Sequence, residues 1–142
     1  MPTRNSFDYA IIRVMPRVER GECVNAGVIV FCPEQKYLGA RVSVDDARLQ
    51  ALWPLLDLSL IRSHLEAFIK VAEGGDGGGP LAQLSQRERF HWLVAPRSTI
   101  IQVSAVHSGL CENPGQALGQ LFNQLVPLPP PDADPQAAAT AK

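Results

Sequence analysis

Tyr9-Ala10-Ile11-Ile12-Arg13-Val14-Met15-Pro16 and, ten residues further on, Ala26-Gly27-Val28-Ile29-Val30-Phe31-Cys32 are the segments whose reading decides the fold. In the first, Tyr9, Ile11, Arg13 and Met15 alternate with Ala10, Ile12 and Val14, the period of a β-strand. Pro16 ends it by removing a ladder donor. The second is nearly all apolar and rich in Val and Ile, as expected of a strand covered on both faces. Pro33 to Lys36 reads as a turn, and Tyr37 to Val44 as a third strand with Leu38, Ala40 and Val42 facing one way. The three predict an antiparallel meander.

Working outward, Ser43 and Asp46 have the spacing of a capping box before a helix bearing Leu49, Leu52 and Trp53, which Pro54 breaks. From Leu58 to Ala72 the residues Leu58, Ile61, Leu65, Phe68, Ile69 and Ala72 keep helical spacing. Arg62–Glu66 and Glu66–Lys70 are spaced for exposed i,i+4 pairs. Gly74 to Pro80 predicts a mobile surface loop, and it lacks the Gly-Lys-Ser/Thr ending of a phosphate loop. Ser85 and Glu88 form a second capping-box pattern, before a short helix with Phe90, Leu93 and Val94. Thr99 to His107 predicts a fourth strand, with Gln102 and Ser104 on one face and Ile101, Val103 and His107 on the other; Gly109 permits a bend. Asn113 caps and Pro114 opens a last helix with Leu118, Leu121, Phe122, Leu125 and Val126 buried. The expectation is an α+β fold: a mainly antiparallel sheet of about four strands packed by three to four helices. Residues 7–126 form the single domain, and 127–142 a disordered Pro/Ala-rich tail.

Composition narrows the function classes. The chain of 142 residues suits one core, with 46% hydrophobic and 19% charged residues and a net charge of −1. Such a balance exerts no global pull toward nucleic acid or membrane, and no run approaches the length of a bilayer span. Three cysteines, Cys23, Cys32 and Cys111, lack the paired spacing of a zinc knuckle. Without a signal-peptide pattern, a cytoplasmic location with free thiols is expected. No metal and no cofactor is expected either.

The segments together resemble a bacterial family described as domain of unknown function (DUF) 3037. The resemblance rests on Tyr9 to Pro16, then Arg20-Gly21-Glu22 with Asn25 and Gly27-Val28. Near the C-terminus it rests on Arg97-Ser98-Thr99, Gln102 and His107-Ser108-Gly109. It covers Phe7 to Val126 and supplies no activity, substrate or catalytic residues. It implies a partner, through an association of some members with kinases of the HipA-like type.

Two constellations stand out as candidate sites. The first is the connection from Pro16 to Asn25, with Arg13, Arg17, Arg20, Glu22 and Asn25. One reading is an Arg–carboxylate latch, with Glu19 or Glu22 as counter-ion to Arg13 and Asn25 bonding local backbone. The other is a guanidinium site for phosphate or a partner carboxylate. The second constellation is Arg97, Gln102 and His107 on and before the fourth strand, lining a groove or merely finishing an edge. His107-Ser108-Gly109 is no nucleophile elbow, and neither a Cys–His pair nor a metal set has a diagnostic spacing. A non-catalytic protein-interaction module is therefore the first expectation. The alternative is a small phosphate-directed enzyme or nucleic-acid processor using Arg20, Arg97 and His107, which requires those residues to converge within about 10 Å.

Overall fold

A central antiparallel sheet positions everything else in the computed structural model, which describes residues 4–97 and 99–128. Strand β1 (Asn5–Val14) runs through the middle, β2 (Val24–Cys32) and β3 (Tyr37–Val42) follow as the meander, and β4 (Ile101–Val103) and β5 (His107–Cys111) both pair with the far side of β1. The order is therefore β3-β2-β1-β4, with β5 continuing the column of β4. Helices α1 (Asp46–Leu52), α2 (Leu58–Glu73), α3 (Gln86–Val94) and α4 (Pro114–Leu125) complete the α+β fold. The tail expected over 127–142 lies outside the described residues from 129 onward, as does Ser98.

Two apolar cores sandwich the sheet. On one face, Ile12, Val14, Val24, Ala26, Ile29 and Phe31 meet Leu49, Ile61, Leu65, Phe68, Phe90 and Leu93 of α1–α3. On the other, Phe7, Val28, Val30 and Cys32 meet Ala117, Leu118 and Phe122 of α4. Burial on both sides explains why β2 reads as an unbroken apolar run, since alternate side chains enter different cores.

Two one-residue irregularities set which side chains share a face. In β2, Ile12 pairs with Gly27 but Arg13 pairs with Asn25, so Ala26 is the extra residue of a β-bulge. Val24 and Ala26 therefore point into the same core as Ile29 and Phe31, while Asn25 joins Val28 and Val30 on the α4 side. Gly27 is required there because an added Cβ would lie 2.6 Å from the Arg41 carbonyl oxygen and 2.8 Å from Val42 Cγ1.

The second irregularity corrects the single fourth strand expected over Thr99–His107. Val103 pairs with Ile12 and His107 with Tyr9, so four steps along this segment match three along β1. Ser104 fills the gap. Its hydroxyl accepts from the Ile11 N–H at 2.8 Å and its own N–H donates to the Ile11 carbonyl at 2.8 Å. The offset moves His107 to the face of Gln102, not that of Ile101. Gly109, expected at a bend, lies within β5, where an added Cβ would meet the Phe7 ring at 2.9 Å.

Local chemistry corrects further details. The cap of α1 is Asp45, accepting from the Arg48 N–H, and not Ser43. The capping box of Ser85 with Glu88 and the Asn113 cap form as expected. Arg62 bridges to Asp46 of α1 instead of Glu66. The glycine run does pack: its two 3-10 turns fold back, with Gly75 N–H bonded to the Ala82 carbonyl. Gly74 takes φ +77, and its missing side chain leaves room for buried Arg89, which donates to the Val71 and Ala72 carbonyls at the end of α2.

Candidate functional site

The arginines and carboxylates of the first connection are spent close to home. Arg17 pairs with Glu19 and Arg20 with Glu22, all about half-exposed or more. Arg17 also lies over the Trp53 ring at 4.5 Å, which docks the connection onto the end of α1. The Glu19 carboxyl is held below its usual range, first by its own backbone and then by Arg17. Arg13 takes neither Glu19 nor Glu22; among the described residues it enters no salt bridge. Asn25 bonds no local backbone. Its amide donates to the Leu125 carbonyl at 2.9 Å, pinning the C-terminal end of α4 to the sheet.

Arg97 is separated from Arg13 and Asn25 by the sheet. It caps α3, donating to the Leu93 and Trp92 carbonyls at 2.8 and 2.6 Å, and it stacks on Phe68 and Trp92, each 4.8 Å away. Burial pushes its guanidinium pKa down from the usual value.

The structure does bring four of the expected site residues to one surface. Arg13, Asn25 and Gln102 are cross-strand neighbours on the α4 face of the sheet, and His107 lies on that face opposite Tyr9. Tyr9 and His107 stack with centroids 5.3 Å apart, and Phe7 adjoins Tyr9 at 5.9 Å. The strip is long, however. Four steps along β1, from Tyr9 to Arg13, separate the His107 end from the Arg13 end, about 14 Å at the rise of a strand. Arg97, against Phe68 and Trp92, and His107, opposite Tyr9, lie on opposite sides of the sheet, so these two residues of the phosphate-directed alternative share no surface.

Why this strip is open follows from widths. Four strand columns spaced about 4.8 Å apart need two helices of about 10 Å diameter to cover a face. Helices α2 and α3, with α1, cover one side. On the other, α4 packs chiefly on β2 and β3 and meets β1 at Phe7. Tyr9, Ile11, Arg13 and Gln102 are left half-buried and His107 exposed. Where α4 borders the Asn5 end of β1, a groove of about 490 Å³ runs between Arg4, Phe7, Cys111 and the row Gln116, Gln120 and Gln124. Burial, then neighbouring Cys32, pushes the Cys111 thiol above its usual pKa.

Sequence reasoning had not placed Tyr9, Ile11 or the glutamine row in a site. A signal was present: Pro114–Leu125 is an amphipathic helix without one charged residue, unusual for a face left to water. The described residues hold no group of three or more His, Cys, Asp or Glu able to bind a metal. Among the described residues, no helix is long and apolar enough to cross a membrane.

Neither the curated proteins nor the solved structures contain a match to this chain. The model of a family described as "Protein of unknown function (DUF3037)" matches residues 9–126, from the strip's Tyr9 to the end of α4, and the chain belongs to that family.

Proposed function

We propose that this protein is a non-catalytic interaction module, and that the strip beside α4 receives a helix of a protein partner. The observation that carries this reading is the bare half of the sheet, one helix wide, bordered by a helix that carries amides and no charges. Charged residues are depleted and aromatic residues enriched at the centres of protein interfaces, and Phe7, Tyr9 and Ile11 with Gln116, Gln120 and Gln124 follow that pattern. Arg13 at one end and Arg4 at the other favour a partner with acidic flanks. The family resemblance adds a class of partner, the HipA-like kinases, and a bacterial source; a cytoplasmic location is part of the proposal. Spent ion pairs in the Arg17–Glu22 connection count against the catalytic alternative.

The test is site-specific photo-cross-linking with a benzophenone amino acid at Tyr9 or Gln120, and at exposed Ser63 on α2 as the control. A HipA-like kinase co-expressed with the protein is the first candidate examined. The reading expects an adduct from Tyr9 and Gln120 and none from Ser63. Adducts from Ser63 alone, or from no position, would overturn it.

A further inference from the structure

On the opposite face, and independent of that reading, we propose that the cleft between α2, α3 and the start of β4 binds a small monocarboxylic acid with an apolar tail. The cleft encloses about 370 Å³ and is lined by His64, Ala67, Phe68, Trp92, Arg97 and Ile100–Ile101. That volume falls within the range of small-molecule sites. The apolar walls suit a tail of hydrocarbon, and Arg97 supplies the charge.

Arg97 is fixed before any ligand arrives. Phe68 and Trp92 hold its plane, and two of the five N–H groups of a guanidinium are committed to the α3 carbonyls. Among the described residues no acceptor takes the other three N–H groups, and no carboxylate lies within salt-bridge distance. The helix carbonyls offset only part of the charge. A carboxylate would complete it with charge-assisted hydrogen bonds at a site already ordered and half removed from water. Thr99, also in the lining, has its hydroxyl proton committed to the Ile101 carbonyl at 2.8 Å, so it adds no competing donor.

The test compares octanoate with octan-1-ol by titration calorimetry and by the emission of Trp92 in a Trp53→Phe background. Octanoate is expected to saturate one site, to shift Trp92 emission and to bind at least about tenfold more tightly than the alcohol. Ala67→Leu fills the cleft from an exposed helix position without touching Arg97; it should abolish octanoate binding at an unchanged Tm. Equal affinity for acid and alcohol, no saturation by millimolar octanoate, or undiminished binding in Ala67→Leu would each overturn the proposal.

Discussion

Replacing Gly27 by alanine tests whether the bulge in β2 is held by close approach of β3. The new Cβ would lie 2.6 Å from the Arg41 carbonyl oxygen, 2.8 Å from Val42 Cγ1 and 3.1 Å from Ile12 Cδ1. The side-chain atoms can yield; the carbonyl cannot move without parting the two strands. Overpacking a tight core costs about 1–3 kcal/mol, and a backbone obstacle places Gly27→Ala near the upper end, about 3 kcal/mol. For a domain of this size each kcal/mol moves Tm by about 4 °C, so a fall of about 12 °C is expected. Gly119→Ala is the control. That position is inside α4 with no neighbouring atom within 4 Å of an added Cβ, and alanine there should raise stability by about 0.5–1 kcal/mol. Urea unfolding followed by circular dichroism measures both. A loss below about 1 kcal/mol for Gly27→Ala would refute the reasoning, because the strands would then have room that the close contacts deny.

Three further outcomes follow from individual contacts. Arg97→Ala removes two hydrogen bonds to the α3 terminus and two aromatic stacks, and should cost about 2 kcal/mol by urea unfolding. In thiol titration, exposed Cys23 should react first, half-buried Cys111 with its raised pKa slowly, and buried Cys32 only on unfolding. Glu19 has a folded pKa below its unfolded value of 4.5, so its contribution is present above that value and lost as pH falls through the lower one. Any stability advantage of wild type over Glu19→Gln at neutral pH should therefore shrink as pH falls below 4.5.

The strands and helices were legible because their periodicities are strong: Tyr9 to Val14 alternates, and Ile61, Leu65 and Phe68 keep a helical stripe. Asn113 and Ser85 announce their caps by residue type alone. What escaped was the phase of the sheet. Gln102 shares the face of Arg13 because the two pair directly, Asn25 joins them because of the offset at Ala26, and His107 because of the offset at Ser104. A single extra residue reverses every side chain beyond it, and no local propensity at Ser104 to Val106 reveals which residue is extra. Partner choice among charges was equally invisible. Arg62 has Glu66 at helical spacing but takes Asp46 from α1, a pairing set by packing between elements. The buried Arg89 is the clearest omission, since an arginine in an Arg-Glu-Arg run reads as solvated until the end of α2 is found resting on it.

The most direct test of the docking strip is a binding titration of wild type and Ile11→Glu against the partner recovered by cross-linking at Tyr9. Ile11 is half-buried in the middle of the strip, and a carboxylate there would face a partner selected to meet Arg4 and Arg13. A loss of at least about tenfold in affinity is predicted, with Tm lowered by no more than a few degrees. Unchanged affinity in a folded Ile11→Glu protein would contradict the assignment of this face.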